Sequence, residues 1–531
     1  MSQQQLPEYV SSAQPTPFDK RVGWLMTTAA SYAGVMLWFV FWQEVPLGAT
    51  GTVGGTLAQG LPLAIGGLVL AAFLCYLLCY LVPGLLGMKT GLPLAVVGTS
   101  TYGVTGGFLM PGFLMGLLQF GWLSVNAYFS GLLLVATFGL PADSVVHLTV
   151  SVVWAILAML MGILGIQYVG KVASFSPIIP IAILLILLVA TCGNAGKFDT
   201  AKTMQAEAKN KENSTKKFDE LTEKLQGFKP PIVLSKDELA NYKEVEAEYL
   251  KHRQIKEARP ALLWGSSQLG IISLICTYVI GFFATAGAAG VNFGCNNKNK
   301  VAVHLGGLVG IVFSTVFAGV IALVVVAGAQ HIITQGAAVN EYSSVLVTYT
   351  VATREFLGVI LGNDQLARVF LFLLALAAFP SACFCTFIAA GCIKTSFPSV
   401  NQWVSCGLGC FAAILLVVTG YAKDAPAVFN VIGASFGPIC GAMAADYILS
   451  GFRWSGPRAG FNPAGWLSWI LGFITGGAAL IYPQVGAIRL SEVIPCPPLS
   501  AFIVGFIFYI IFAKAGLQSK VLDMPQRIDK E

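Results

Sequence analysis

The sequence predicts an all-α integral membrane protein with about twelve spanning helices. Three observations carry that prediction: the composition, the length and spacing of the apolar runs, and the placement of Lys and Arg between them. Of 531 residues, 56% are hydrophobic and only 11% are charged, whereas a soluble domain carries about a quarter charged residues to keep its surface wet. Nearly half of the charged side chains lie between Lys197 and Arg259, so the rest of the chain is more apolar still.

A bilayer core takes about 20 apolar residues as helix. Runs of that kind fall at 24–42, 61–83, 108–137, 147–167, 173–193, 265–290, 303–329, 367–391, 403–420, 427–449, 464–482 and 498–514. Backbone groups in lipid must bond within the protein, which leaves helices or a closed barrel. Continuous runs, not short alternating segments, favour helices.

Short loops on the inner side of a membrane carry an excess of Lys and Arg. With a cytoplasmic N-terminus, the inner set is Lys20, Arg21, Lys89, Lys171, Lys298, Lys300, Lys394, Arg453, Arg458, Lys514, Lys520, Arg527 and Lys530. The short outer loops hold only Arg354, Arg368, Lys423 and Arg489. Both termini are therefore expected in the cytoplasm of a cell membrane, plasma or bacterial inner. The polar N-terminus up to Phe18 lacks a charged-then-apolar leader, and the first span itself would direct insertion.

The expected organisation is an N-terminal tail (1–23), spans 1–5 (24–194), an external charged insertion (195–262), spans 6–12 (263–514) and a C-terminal tail (515–531). In the insertion, Lys202–Leu225 and Ser235–Arg253 read as polar helices separated by Pro230-Pro231. It serves either as a solvated spacer or as a lid or partner-binding element. Segment 343–362 is apolar but carries Arg354 and Glu355. A charge pair at the bilayer centre is expensive, so this segment is expected as a short interfacial helix.

Several function classes find no support. The net charge of +6 is explained by orientation and implies no nucleic-acid partner. No HExxH, GxSxG elbow or Walker lysine loop occurs, and the four histidines are isolated, so an enzyme is not expected. His147, His304 and His331 fall near span ends. The twelve cysteines are scattered, with no CxxC pair, and read as small apolar packing residues. No cofactor or metal centre is expected.

Polar or glycine-broken positions inside spans are the informative ones, because polar groups there tend to mark a path for a solute. Span 3 holds Gln119, Trp122 and Asn126, which share one helical face by their spacing of three and four. An indole beside an amide donor and acceptor suits a flat heteroaromatic ring; polar helix-to-helix packing uses the same residue types. Span 6 runs Gly281-Phe282-Phe283-Ala-Thr-Ala-Gly-Ala-Ala-Gly290, small enough for local unwinding or for close packing. Span 8 carries Phe379-Pro380-Ser381, a freed carbonyl and a hydroxyl that suit either a small cation or a simple kink. Glu44 at the end of span 1 and Asp446 at the end of span 10 read first as a solvated boundary residue and as a structural or gating anchor.

Several stretches resemble the nucleobase–cation symporter family, most of all its cytosine permeases. Gly87-Met-Lys-Thr-Gly-Leu92 resembles the family's G-x-KTGL after span 2, followed by Tyr102-Gly103 and by Gln119-Phe-Gly-Trp122, which resembles Q-V-G-W. Val291-Asn-Phe-Gly294 with Asn296 resembles the end of span 6, and Gly437-Pro438-Ile-Cys-Gly441 through Ala445-Asp446-Tyr447 resembles P-x-x-G…ADY of span 10. The resemblance covers most of 24–193 and 265–514.

It implies two inverted five-helix repeats plus two C-terminal helices. It further implies cation symport of a nucleobase or related heterocycle, cytosine or a purine first, by alternating access. Trp122 would stack on the base, Gln119 would bond its edge and Asn126 would support that face. Phe282 or Phe283 would complete the sandwich, and Ser381 with span 1 carbonyls would hold the cation. Where the family has a hydroxyl pair on span 8 the chain reads Ser381-Ala382, and it has no span 8 asparagine nearby. The coupling ion, Na+ or H+, and the base therefore stay open. The alternative is a transporter-like receptor that binds a small heterocycle and signals through 195–262.

Overall fold

The computed structural model describes residues 6–24, 55–140, 144–164, 178–227, 241–242, 244–246, 249, 267–335, 354–396, 400–481, 484–485, 488–489 and 494–524. It is nearly all helical. A one-turn helix α1 (Glu8–Ser11) precedes α2 (Leu61–Thr90), α3 (Thr99–Thr137), α4 (Val145–Leu164), α5 (Ile178–Ala195) and the polar α6 (Thr200–Gly227). Then follow α7 (Gln268–Ala288) and α8, which joins Lys300–Gly307 to Ser314–Gln335 through a π turn. The short α9 (Arg354–Leu361), α10 (Asp364–Ser396), α11 (Gln402–Val418), α12 (Ala425–Leu449), α13 (Pro463–Ile481) and α14 (Pro497–Lys514) complete the order. Two strands of two residues each, Gln484–Val485 and Ile488–Arg489, pair antiparallel between α13 and α14.

Among the described residues, nine helices are long and apolar enough to cross a membrane: α2, α3, α4, α5, α7, α8, α10, α12 and α14. α11 contributes a shorter apolar helix. Residues 25–42 of the expected first span, with Trp38, Trp42, Gln43 and Glu44, lie outside the described residues, as do 343–353 and most of 235–253.

The helices sort into groups by packing. α7 and α8 each pack on α2; α3, α4, α10 and α11 pack on one another; α12, α13 and α14 form a third set, with α12 against α7. Spans 2, 3 and 4 thus each lie against the span five places on. Side chains tie the pairs together: Tyr76 Oη on α2 and His304 Nδ1 on α8 share a hydrogen bond of 2.6 Å.

The small residues of span 6 serve close packing. α7 stays helical from Gln268 to Ala288, and a Cβ on Gly281 would come within 2.6 Å of the Phe429 carbonyl oxygen of α12. Gly87 on α2 and Gly294 just beyond α7 sit as closely: a Cβ on Gly87 would lie 2.0 Å from the Val291 carbonyl oxygen, and one on Gly294 2.1 Å from that of Gly84. The glycines let backbones touch where side chains would hold them apart.

α3 differs most from its sequence expectation. It begins at Thr99, not at 108, and bends sharply at Gly103, whose φ of 82° and ψ of 165° belong to a region that is essentially glycine-only. A bend frees helix N–H and C=O groups, and buried groups of this kind need partners. The α12–α13 loop supplies them. Val104 N–H donates to the Arg458 carbonyl (2.7 Å) and Thr105 N–H to that of Gly460 (2.9 Å). In return the Arg458 Nε–H donates to the Ser100 carbonyl (2.8 Å), Asn462 N–H to Tyr102 (2.9 Å) and Asn462 Nδ2–H to Thr101 (2.7 Å).

Asp446, at the end of α12, is an anchor of the same assembly. Its buried carboxylate accepts from Tyr509 Oη (2.7 Å) on α14 and faces the Arg458 guanidinium at 3.4 Å. Lys89, at the end of α2, donates to Tyr447 Oη (2.8 Å) and to the Phe452 carbonyl (2.6 Å). Residues 6–24 lie across this same end of the bundle. Tyr9 Oη donates to the Val104 carbonyl, and Arg21 Nη1 donates to the Met88 carbonyl at 2.7 Å, capping the C-terminus of α2. Burial raises the Tyr9 phenol pKa and keeps it a neutral donor. Because both terminal segments meet here, this is called the terminal end below.

Candidate solute site

The three residues singled out on span 3 lie on α3, in the half away from the terminal end. Trp122 is half-buried and stands among aromatic rings from two other helices. Its ring centroid is 4.8 Å from Phe282 of α7, edge to face, and 4.8 Å from Phe429 of α12, tilted by 35°. Phe282 and Phe429 are 6.1 Å apart. Offset and edge-to-face pairs at such spacings each add roughly 0.5–1.5 kcal/mol beyond area burial. The missing side chain at Gly281 admits the backbone of α12, and so places Phe429 beside Phe282.

Of the two candidate phenylalanines on span 6, Phe282 meets Trp122. Phe283 is fully buried, and among the described residues its ring contact is with Phe282, at 5.1 Å. Phe429 has no mark in the sequence that separates it from other apolar residues of span 10. Only the packing of α12 on Gly281 reveals it.

The two amides of α3 differ in how far they are engaged. Gln119 is buried, and its one hydrogen-bond contact among the described residues is a long one, Nε2 to Met115 Sδ at 3.9 Å. Asn126 is saturated. Its Nδ2 donates to the Ala378 carbonyl and to Ser381 Oγ, both at 3.0 Å, on α10. Its Oδ1 accepts from Trp154 Nε1 of α4 at 3.1 Å and from Ser130 Oγ at 3.4 Å. Span 8 has no amide of its own beside Ser381, and span 3 provides one. Trp154, a second residue that the sequence did not single out, also packs its ring edge-on against Phe379 at 4.9 Å.

Ser381 sits one residue after Pro380 and donates its hydroxyl to the Ala378 carbonyl at 2.7 Å. Among the described residues, no group of three or more His, Cys, Asp or Glu side chains is placed to hold a metal ion. The oxygens near Pro380 of α10 are a hydroxyl and main-chain carbonyls, ligands suited to a hard monovalent cation. The span 1 carbonyls expected to share the cation lie outside the described residues. The buried His147 shares a hydrogen bond of 2.9 Å with the Tyr128 carbonyl.

No known protein family profile matches the chain. No curated protein sequence matches it either. Solved structures do. An inward-facing conformation of Mhp1 aligns over 98% of this chain and 97% of its own, with a TM-score of 0.59 at 14% identity. A second structure of Mhp1, a nucleobase-cation-symport-1 family transporter in a closed conformation with bromovinylhydantoin bound, aligns over 96% and 95%, with a TM-score of 0.54 at 14% identity. A substrate-bound, outward-open Na+-coupled sialic acid symporter aligns over 97% and 95%, with a TM-score of 0.55 at 13% identity. At this identity the likeness is one of fold. The chain is a multi-span, all-α membrane protein, and it shares its fold over nearly its whole length with these symporters.

Proposed function

We propose that the chain is a secondary transporter that imports a flat heterocycle of the nucleobase class by cation symport and alternating access. The observation that carries this reading is the aromatic arrangement at Trp122. An indole on one helix group is covered by Phe282 and Phe429 from two others, with the under-engaged amide of Gln119 one turn away. Stacking gives affinity for any flat ring, and a single amide donor and acceptor reads one edge of it.

In this reading Trp122 and Phe282 are the two walls, Gln119 bonds the edge, and Asn126 supports the face from behind. The cation, Na+ first and H+ second, is held near Ser381. The terminal end faces the cytoplasm, in keeping with the Lys and Arg distribution. Alternating access then moves helix groups against one another around a mid-membrane site.

The test is uptake of labelled cytosine, and then of adenine and hypoxanthine, in cells lacking their own permeases, with and without a sodium gradient. Gradient-dependent uptake of one of these bases is the expected result. A membrane-inserted, monodisperse protein that takes up none of them would remove the nucleobase assignment.

A further inference from the structure

We infer that Asn126 is a positioning residue for cation coupling, acting through Ser381 and not through the solute. The inference rests on the cation-coupled reading above. A side-chain amide has two N–H donors and two lone pairs on its oxygen. All four are used at Asn126, by Ala378, Ser381, Trp154 and Ser130. A group with no free valence gives a solute nothing to bind without first losing a buried bond.

The same four bonds define what Asn126 does. Pro380 has no N–H, so the carbonyl four residues back, on Leu376, loses its helical partner and α10 is weakened at that turn. Asn126 grips α10 on either side of the proline, at Ala378 and at Ser381. Trp154 holds the amide from the opposite side through its indole N–H, and its ring packs against Phe379. Three helices are thereby fixed at one point.

The consequence falls on the serine hydroxyl. Ser381 gives its proton to the Ala378 carbonyl and accepts an N–H from Asn126. A hydroxyl oxygen has two lone pairs, so one remains, and its direction is set by the other two bonds. Without Asn126 the hydroxyl keeps its bond to Ala378 but loses the second bond that fixes the direction of its remaining lone pair. The family resemblance expects a hydroxyl pair on this span, and the chain has a serine followed by alanine. A fixed orientation lets a single hydroxyl serve as a ligand.

The experiment uses the full chain in detergent and sodium chloride as the probe, with choline chloride as the ionic-strength control. The readout is the sodium concentration giving half of the sodium-specific rise in melting temperature. Wild type shows such a rise. Asn126→Ala and Ser381→Ala each raise the half-saturating concentration at least tenfold, and the double variant is no worse than Ser381→Ala alone, because the two residues act as a unit. Trp154→Phe, which keeps the ring and loses the N–H, raises it by a smaller factor and guards against a poorly folded alanine variant.

An unchanged sodium titration in Asn126→Ala, or independent effects that multiply in the double variant, would overturn the inference. So would a wild type with no sodium-specific rise, whatever the uptake assay shows. A sodium rise lost in these variants, together with no base uptake, keeps this inference and removes only the solute.

Discussion

Two stretches of the same helix are built on opposite plans. Around Gly103, α3 is broken, and the Thr101 and Tyr102 carbonyls and the Val104 and Thr105 N–H groups each have a partner in the 458–462 loop. Around Trp122, one turn before the hydrogen-bonded Asn126, α3 is regular and meets α7 and α12 through ring contacts, with one weak contact from the Gln119 amide. The first plan uses directional bonds that fail together when one is removed. The second uses aromatic surface, which tolerates displacement because ring contacts depend only softly on angle. The proposed transport would use both: an end whose closure is specified, and a middle whose contacts a solute can replace.

The largest effect is expected at the bend. In Gly103→Val, a side chain must adopt a glycine-only backbone conformation, which costs about 1–3 kcal/mol. Its Cβ would also lie 2.2 Å from the Gly460 carbonyl oxygen, adding overpacking of about 1–3 kcal/mol. Little monodisperse protein should be recovered by size-exclusion chromatography. Normal recovery and melting temperature would mean that the bend is not specified by this contact.

Next comes Arg458→Ala. It leaves the buried Asp446 without its cation and removes the donors to Ser100 and Ser519. Breaking a buried ion pair from one side costs about 3–5 kcal/mol, and the melting temperature should fall accordingly. Asp446→Asn, which keeps the acceptor for Tyr509, should fall less. Equal losses in both would show that the charge of Arg458, and not its forked hydrogen bonding, sets the stability of the terminal end.

The sequence made the second plan more legible than the first. Apolar runs mark their own spans, so the helices that carry the site stood out without long-range information. Trp122, Gln119 and Asn126 are three or four apart, and helical periodicity alone puts them on one face. The break at Gly103 was hidden for the opposite reason. Thr99–Gly107 is rich in Thr, Ser and Gly, and reads as a loop. It is helical and buried only because Arg458 and Asn462, distant in the chain, satisfy it. Phe429 was hidden because its role depends on the absence of a side chain at Gly281. The bonding state of Asn126 could not be read at all, since its partners come from α4 and α10.

The smallest effects belong at the proposed solute site, and they should appear in binding before they appear in stability. Trp122→Leu keeps apolar bulk against Phe282 and Phe429 but removes the indole face. Base stacking on an aromatic side chain is worth about 1–3 kcal/mol, so the affinity for a transported base should drop by roughly ten- to a hundredfold. Gln119→Met keeps the length and volume of the side chain and removes only the amide. The protein loses little, because that amide makes one 3.9 Å contact to Met115. The solute loses an edge bond, typically about 0.5–1.5 kcal/mol. Bases with differently arranged edges should then bind more alike in Gln119→Met than in wild type, as measured by competition against the labelled substrate. If Gln119→Met lowered the melting temperature as much as Arg458→Ala does, the amide would belong to the first plan, and the edge reader of the site would have to be sought on another helix.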